Sequence, residues 1–329
     1  MIDVKNLKIN LEQKILQSGN IVIVPHKGID FDAIGSAIGI SLVVKKLKKA
    51  SFILIDDPVY KIDHGVQLII DEAKNNYPIL NKEKYLQIAT PNDLFILTDV
   101  NKSHMIALND QIKDENNVII IDHHNEDEST VKCNFKCLNT NVSSASEIVT
   151  KLLNLYKIKP NSKVAKYLLA GIYLDTNKLT KNISPETMKV VANLLECGTN
   201  MNDVTDLFIE DFNSDRRVQE LVSKAKIITY SIALILADEG VEYTKEELAK
   251  AADYLLKYKV DAAFSIGNIG DNTISISARS KEKINVGEIM KELNGGGNQY
   301  SAATKLENVT ISEANKQLIK IIEPKYSIN

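Results

Sequence analysis

The stretch IVIVPHKGIDFDAIGS (residues 21–36) places charged side chains directly after an apolar run. The run IVIV is typical of a buried strand, and one histidine and two aspartates follow it within seven residues: His26, Asp30 and Asp32. Unpaired charge is costly in a buried position. We therefore expect this strand to end at a functional site.

The first 200 residues alternate short apolar runs with helical segments. The runs NIVIVPH, ASFILID, DLFILTD and NNVIIIDHH are rich in β-branched residues, and helical patterns such as AIGSAIGISLVVKKLKK lie between them. This is the pattern of a doubly wound α/β domain, whose mainly parallel strands are apolar throughout because both faces of the sheet are covered. Ligands of such sheets bind outside the carboxyl ends of the strands.

Several of these segments end in charged or imidazole side chains. Three apolar runs lead into HKGIDFD, TDVN and DHHNED, and a fourth segment, YLLAGIYLD, reaches Asp175 either as a strand or as a helix. All four segments therefore place metal-ligating residue types at the ends of secondary-structure elements.

The remaining residues predict a second, smaller domain. The charged stretch NDVTDLFIEDFNSDRRVQELVSKAKI has helical spacing and alternating sign, which favours a solvated connecting helix. Beyond it, strand-like and helical runs alternate as far as the glycines that follow VGEIMKELN, as in a mixed α/β domain. We predict domains at 1–200 and 226–329, joined by a linker helix over 201–225.

Composition limits the classes of function. The chain has 329 residues, 43 acidic and 40 basic, and a net charge of -3, so it lacks the broad cationic surface that binding of long nucleic acid or anionic membrane requires. Cys133, Cys137 and Cys197 form no CxxC pair, so we expect free thiols. No apolar run approaches the ~20 residues of a membrane span, and the first residues lack the apolar centre of a signal peptide. We expect a cytoplasmic protein, without membrane contact by this chain itself.

The segment ends together supply five carboxylates and three imidazoles: His26, Asp30, Asp32, Asp99, Asp122, His123, His124 and Asp175. A single aspartate at the end of a strand is more often a cap or turn residue, but independent caps give no reason for histidines to concentrate there. Nitrogen and oxygen ligands without thiolate favour Mn²⁺ or Mg²⁺, with Zn²⁺ and Fe²⁺ as alternatives. So many carboxylates would repel one another unless cations held them together, so we expect two metal ions and phosphoester or phosphoanhydride hydrolysis.

The successive motifs HKGIDFDAIGS, LTDVN, IDHHNED, SSASE, AGIYLDT, ISARS and GGGNQYSAAT resemble those of the DHH–DHHA1 phosphoesterases over nearly the whole chain. Within that family, the C-terminal run is most similar to the catalytic module of membrane-bound cyclic-di-AMP phosphodiesterases. The resemblance implies either a module cut from a membrane-anchored parent or a stand-alone relative. It leaves open whether the module forms a homodimer.

The resemblance also implies roles for single residues. His26 and Asp30 would hold one manganese ion, Asp32, His123 and Asp175 the other, and Asp99 would bridge the two. Asp122 would orient His123 or contribute to the site, and His124 would face the scissile phosphate. In the second domain, Arg279 would contact a further phosphate, and Gly295, Gly296 and Gly297 would let backbone N–H groups approach it.

Two positions depart from the motifs of the family, and one helix start has two interpretations. The glycine motif of the family usually ends in histidine where this chain has Asn298, which can donate and accept hydrogen bonds but is not protonated near neutral pH. The motif D-x-H likewise has Asn101 in its third place. Ser144 and Glu147 have the spacing of a helix capping box, which we favour over a phosphate-binding role for that helix start.

These observations predict a manganese-dependent phosphodiesterase that hydrolyses cyclic di-AMP to linear pApA, with a metal-bridging hydroxide as the attacking group. The first alternative is a phosphodiesterase for pApA or short oligoribonucleotides, which would share every metal ligand. The second is a cyclic-dinucleotide sensor with a relic metal site, which the complete ligand set disfavours.

Overall fold

The computed structural model describes residues 4–58, 62–209, 212–229, 231–281 and 283–326. The chain divides into two compact units, Met1–Ile209 and Glu210–Asn329. The division falls within the segment 201–225 that the sequence predicts as a linker. Among the described residues, no helix has both the length and the apolar character needed to cross a membrane.

The first unit is built on a six-stranded sheet in which every pairing is parallel. The strand order is β3-β2-β1-β4-β5-β6. The strands are β1 (Ile21–Pro25), β2 (Ser51–Leu54), β3 (Ile79–Leu80), β4 (Leu94–Thr98), β5 (Val118–Asp122) and β6 (Phe135–Leu138). The three central strands β1, β4 and β5 are buried along their whole length, as expected when both faces of a parallel sheet are covered.

The two faces of this sheet have different covers. Along β1, Ile21 and Ile23 join one apolar cluster, whereas Val22 and Val24 join another, because successive side chains of a strand point to opposite faces. A short helix and irregular segments cover the second face, and all the longer helices pack on the first. The helices are α1 (Val4–Gln17), α2 (Phe31–Lys46), α3 (His64–Ala73), α4 (Lys82–Leu86), α5 (Ala145–Leu155), α6 (Ser162–Asp175), α7 (Pro185–Leu195) and α8 (Met201–Asp206). The predicted α/β class is confirmed.

The strand order brings the charged segments to one edge. From β1 the chain proceeds outward to β2 and β3, then returns to the other side of β1 as β4, so the order of strands reverses between β1 and β4. Crevices at such reversal points, outside the carboxyl ends of the strands, are where open α/β sheets bind ligands. The segments that follow β1, β4 and β5 therefore meet at one place.

Two glycines allow α2 and α6 to approach closely. A Cβ at Gly35 would lie 2.6 Å from the carbonyl oxygen of Tyr167, and a Cβ at Gly171 would lie 2.6 Å from Asp32 Oδ1. Because neither glycine carries a Cβ, the start of α2 and the last turn of α6 come together. The segment that the sequence left as strand or helix is helical, and it ends at Asp175.

The second unit contains a six-stranded mixed sheet in the order β11-β12-β10-β9-β8-β7, in which only the β8 and β9 pairing is parallel. Its strands are β7 (Lys226–Thr229), β8 (Ile232–Leu236), β9 (Ala262–Asn268), β10 (Thr273–Ser280), β11 (Gly296–Gly297) and β12 (Ser301–Glu307). Its helices are α9 (Phe212–Ser223), α10 (Lys245–Leu255), α11 (Val286–Lys291) and α12 (Ile311–Tyr326). This arrangement is the predicted smaller mixed α/β domain.

The charged stretch after residue 200 differs from the single solvated helix that its pattern predicts. It contains α8, which belongs to the first unit, and α9, which belongs to the second. Val218 and Leu221 of α9 are buried in the core of the second unit. The alternating charges obscured this apolar face because it is only a few residues wide.

Candidate metal centre

The structure places eight ionisable side chains at the carboxyl edge of the first sheet. They form three overlapping groups whose ligand atoms lie within 4.8 Å of one another: His26, Asp30 and Asp99; Asp32, His123 and Asp175; and Asp99, Asp122, His123 and His124. These are the eight residues that the sequence singles out. Six of them, together with flanking residues, line a cavity of about 370 Å³.

His26 and Asp30 lie on the loop between β1 and α2. His26 Nδ1 lies 2.9 Å from the carbonyl oxygen of Lys27, which leaves Nε2 facing the carboxylates of Asp30, at 3.6 Å, and Asp99, at 3.4 Å. Asp30 Oδ1 caps α2 by accepting hydrogen bonds from the N–H groups of Asp32 and Ala33. Asp30 therefore caps the helix through Oδ1, and its Oδ2 still faces the centre. The same aspartate can be both a helix cap and a candidate metal ligand.

Asp99 occupies the middle of the centre. Its φ of 58° is left-handed, and its N–H donates to the carbonyl oxygen of Ile121 on the neighbouring strand. Its Oδ2 lies 3.4 Å from His26 Nε2 and its Oδ1 lies 3.3 Å from His123 Nε2. A strained backbone that persists at a buried carboxylate is characteristic of functional sites. Asp99 therefore lies between His26 and His123, and the resemblance implies a shared ligand at this position.

Asp32 is fully buried in the first turn of α2 and is held by the start of α5. Its carboxylate accepts hydrogen bonds from the N–H groups of Ala145, at 2.7 Å, and Ser146, at 2.8 Å. Ser144 caps the same helix by accepting from the N–H of Glu147. The SSASE segment therefore is a helix cap, as favoured from the sequence, and its remaining N–H donors bind an anion that belongs to the protein itself.

His123 brings the two halves of the centre together. Its Nε2 lies 3.1 Å from Asp175 Oδ2 and 3.9 Å from Asp32 Oδ2, in addition to its approach to Asp99. Asp175 reaches this point from the end of α6, whereas His123 reaches it from the end of β5. The set that the resemblance assigns to the second ion is thereby assembled from three separate elements.

Asp122 orients a different imidazole from the one expected. Its Oδ1 lies 2.8 Å from His124 Nδ1 and also accepts from the N–H of His123 at 2.7 Å, so the ring that it holds is that of His124. Side chains two residues apart at the end of a strand share a face, whereas adjacent ones do not. His124 Nδ1 is thus engaged, and the other ring nitrogen is the one left for a ligand. The hydrogen bond to Asp122 raises the pKa of His124.

Burial and neighbouring charges shift the pKa values of the clustered side chains strongly. Burial lowers the pKa of His26, but its carboxylate neighbours outweigh this effect and raise the pKa to about 11. The pKa of His123 is raised to about 11 in the same way. Burial, reinforced by the charges of Asp99 and Asp175, raises the pKa of Asp32 well above its ordinary value. The cluster would therefore retain protons to balance its negative charge, a role that metal cations perform in carboxylate-rich sites.

Unsatisfied polar atoms are concentrated at the same place. Within the described parts of the chain, eight buried side-chain polar atoms have no hydrogen-bond partner, and five of these belong to the segment 98–123: Thr98 Oγ1, Asp99 Oδ1, Asn101 Oδ1, Asp122 Oδ2 and His123 Nε2. Buried polar groups are usually satisfied, so such a concentration needs an explanation. The carboxylate and imidazole atoms among them, those of Asp99, Asp122 and His123, belong to the groups that could hold a metal ion, and such ligands fit hard to borderline divalent cations.

The second unit contains the glycine segment. Arg279 on β10 lines a pocket together with Gly296, Gly297 and Ser277, and its Nε donates to Asp253 Oδ2 at 2.9 Å. A Cβ at Gly296 would meet no atom within 4 Å, so the backbone there is open to a ligand. Gly297 has a φ of 138°, which favours glycine. Arg279, Gly296 and Gly297 are thus brought together as the sequence predicts.

Two predicted substrate-binding residues, Gly295 and Asn298, also have structural roles. A Cβ at Gly295 would collide with Thr304 and the backbone of β12, so the absence of a side chain there serves packing. Asn298 does not line the pocket, and its Oδ1 accepts hydrogen bonds from the N–H groups of Tyr300 and Ser301, both at 2.9 Å. The Asn298 side chain therefore stabilises the turn between β11 and β12.

Sequence reasoning missed one residue that holds the first loop. Asp57 accepts hydrogen bonds from the N–H groups of Gly28, at 2.9 Å, and Ile29, at 3.2 Å. These donors lie between His26 and Asp30, so Asp57 fixes the loop that carries both. No motif marks Asp57, because its partners are backbone groups far from it in sequence.

The comparison with protein families agrees with this geometry. A model described as the DHH family, N-terminal domain, matches residues 20–172, and a DHHA1 domain model matches residues 224–326. Together the matches cover most of the chain, which therefore belongs to the DHH–DHHA1 family. The resemblance drawn from the motifs is confirmed.

Two kinds of phosphoesterase are among the relatives with similar sequences. The chain is 32% identical over 320 residues to the cyclic-di-AMP phosphodiesterase GdpP of Geobacillus thermodenitrificans, covering 95% of this chain and 48% of that protein. It is 24% identical to the bifunctional oligoribonuclease and PAP phosphatase NrnA of Thermus thermophilus, covering 96% of this chain and 93% of that one. The chain spans about half the length of the cyclic-di-AMP phosphodiesterases that it matches.

A solved structure supports the fold. The exopolyphosphatase-related protein of Bacteroides fragilis superposes with a TM-score of 0.79 at 20% identity, over 98% of both chains. At this identity the likeness concerns the fold alone.

Proposed function

We propose that this chain is a phosphodiesterase that uses two divalent metal ions, with Mn²⁺ as the foremost candidate, and hydrolyses cyclic di-AMP to linear pApA. The observation that carries the proposal is the cluster at the end of the first sheet, where three carboxylate–imidazole groups include buried atoms without hydrogen-bond partners. The match to a cyclic-di-AMP phosphodiesterase over 95% of this chain supports the substrate.

The ligand sets follow the three groups of side chains. His26 and Asp30 would hold one ion, Asp32, His123 and Asp175 the other, and Asp99 would be shared. Two bound ions supply a deprotonated water at neutral pH and neutralise charge on the phosphoryl group. Asp32 is oriented by the N–H groups at the start of α5, which bind its carboxylate.

His124 is the proposed catalytic donor. Asp122 engages Nδ1 and favours the protonated ring, so the remaining ring N–H would donate to a phosphoryl oxygen of the substrate. The negative charge on that oxygen grows during attack at phosphorus, so a donor that is already oriented stabilises the transition state more than the ground state. Asp122 acts by fixing the direction of this donor.

The second unit supplies a separate phosphate site in this proposal. Arg279 is held by Asp253, and Gly296 leaves the adjacent backbone open. A guanidinium that is already oriented loses less conformational freedom when it binds an anion. We assign nucleotide phosphate binding to Arg279, Gly296 and Gly297, whereas Gly295 and Asn298 would act through the shape of the pocket.

A second candidate is hydrolysis of linear pApA or short oligoribonucleotides. The similarity to NrnA extends over 93% of that protein, so the whole module has a counterpart in it. The metal ligands are the same for both activities. In either case, the chain would act on small nucleotides as a cytoplasmic module.

The test is hydrolysis by the metal-loaded protein of cyclic di-AMP, cyclic di-GMP, pApA and pGpG, with products identified by mass. We expect the highest kcat/KM on cyclic di-AMP with Mn²⁺, and pApA as the product. Faster turnover of pApA to AMP would favour the second candidate. Tight binding of cyclic di-AMP without turnover at saturating Mn²⁺ would contradict both candidates and favour a sensor.

A further inference from the structure

Asn101 follows Asp99 by two residues and lines the same cavity as the metal centre. It is only 1% exposed. Its Nδ2 donates to the carbonyl oxygen of His124 at 3.2 Å. The side chain therefore links the segment after β4 to the histidine that the proposed mechanism uses as a donor.

This contact fixes which way the amide points. The carbonyl oxygen of His124 can only accept, so the NH₂ group of Asn101 must face it. The Asn101 Oδ1 atom is then directed elsewhere, and it is buried without a hydrogen-bond partner. A buried acceptor without a partner is unfavourable, so Oδ1 should bind a donor when the cavity is occupied.

The chemistry of a nucleotide restricts what that donor is. Phosphate oxygens near neutral pH are acceptors, so they would repel Oδ1. The amino group of a base lies far along the nucleotide from the phosphodiester, whereas the 2′-hydroxyl of a ribose lies on C2′, next to the carbon that bears the 3′-oxygen. Asn101 and Asp99 line the same cavity, so a group beside the scissile phosphate is the one placed next to Asn101.

We infer that Asn101 is a specificity residue whose Oδ1 accepts a hydrogen bond from the ribose 2′-hydroxyl adjacent to the scissile phosphate. The inference rests on the proposed function, since it takes a dinucleotide as the ligand. Asparagine suits this role because it provides a neutral acceptor and a donor in one side chain. An aspartate would place a second acceptor against the carbonyl oxygen of His124.

Lys102 offers a matched control. Its Nζ donates to the carbonyl oxygen of Asn125 at 2.7 Å and lies 2.9 Å from Asp127 Oδ2, so it holds the loop after β5 from the neighbouring position. Lys102→Met loosens this loop but leaves Asn101 Oδ1 in place. Asn101→Leu removes both the acceptor and the contact to His124 at similar volume. The two variants separate recognition of a hydroxyl from support of the loop.

The experiment measures affinity by calorimetry for cyclic di-AMP and its 2′-deoxy analogue. Ca²⁺ replaces Mn²⁺ because its looser coordination disfavours turnover. Wild-type protein should bind the ribose form about tenfold more tightly, as expected for one hydrogen bond to a buried acceptor. Asn101→Leu should bind both forms weakly and equally. Lys102→Met should bind both more weakly than wild type and keep the preference.

The possible outcomes test the role of Asn101 and the proposed function separately. Equal binding of the two forms by wild-type protein overturns the inference and needs no variant, so poor folding of Asn101→Leu cannot hide the result. A preference that persists in Asn101→Leu also overturns it. A ribose preference in binding, without hydrolysis in Mn²⁺, overturns the proposed function and leaves the role of Asn101 standing. If the wild-type protein binds neither cyclic di-AMP nor its 2′-deoxy analogue, the role of Asn101 and the proposed function are both overturned.

Discussion

The metal centre of the first unit and the glycine pocket of the second are built on opposite principles. Five buried polar atoms without a partner lie at the centre, whereas none of the eight found in the described residues belongs to the residues lining the glycine pocket. In the pocket, Arg279 is already bonded to Asp253, and Gly296 leaves the space next to the backbone free. The centre should therefore respond to changes of charge, and the pocket to changes of volume.

The largest effect should come from a change of charge at constant shape. Asp99→Asn keeps the volume and tolerates the left-handed backbone, since asparagine is also enriched in that region. Loss of outer-shell partners of a metal costs roughly 10–100-fold, so loss of a shared ligand should lower kcat by more than about 100-fold. Circular dichroism should show a retained fold. Wild-type turnover in Mn²⁺ would contradict the assignment of the centre.

The second prediction concerns added side-chain volume next to the metal centre, and it compares the effects on stability and on metal affinity. In Gly171→Ala, the new methyl group would meet Asp32 Oδ1, so we expect a cost in unfolding free energy of about 1–3 kcal/mol and weaker Mn²⁺ binding by about tenfold or more. Gly39→Ala is the control, because its methyl group would meet Val149 and Leu168 in the same helix layer. Urea unfolding and metal titration should show destabilisation in both variants and loss of metal affinity only in the first. Equal metal affinities would contradict this account of how Asp32 is positioned.

In the glycine pocket the same kind of substitution should separate binding from stability. A methyl group in Gly296→Ala enters open space, so stability should be unchanged while KM for the dinucleotide rises about tenfold, the cost of roughly 1.4 kcal/mol in binding. Gly295→Ala should instead lower the melting temperature, because its methyl group meets Thr304 and the backbone of β12. A KM that is insensitive to Gly296→Ala would show that substrate does not approach this backbone.

The smallest effect is expected at Asn298. Asn298→Ala removes an acceptor that satisfies the N–H groups of Tyr300 and Ser301, so unfolding free energy should fall by about 0.5–1.5 kcal/mol. Because Asn298 does not line the pocket, KM should change less than twofold. A tenfold rise in KM, measured with the stability change, would instead support the direct substrate contact that the family motif predicts.

Much of the metal centre is readable from the sequence. Apolar runs mark the strands, and the residues after β1, β4 and β5 must meet because parallel strands end at the same edge of a sheet. That local pattern sufficed to select all eight ionisable residues of the centre. It did not separate strand from helix at Asp175, because a short apolar run fits both elements.

Contacts between distant backbone groups could not be read in this way. The N–H groups of Ala145 and Ser146 bind Asp32 across more than 110 positions of the chain, and the loop between His26 and Asp30 is held by Asp57. Every non-proline residue carries the same N–H donor, so sequence gives no sign of which ones will be used. The partner of Asp122 likewise depended on the geometry of a strand end.

The sequence by itself therefore determined the chemistry of this protein. It showed which side chains are available, at the ends of which elements they lie, and which family the chain resembles. Tertiary structure decided their orientation. It oriented Asp32 through hydrogen bonds from a helix start and placed Asn298 in a turn. It also left Asn101 with Nδ2 hydrogen-bonded and Oδ1 without a partner. The physical reason is that residue type fixes what a group can bind, whereas only packing fixes the direction in which it points.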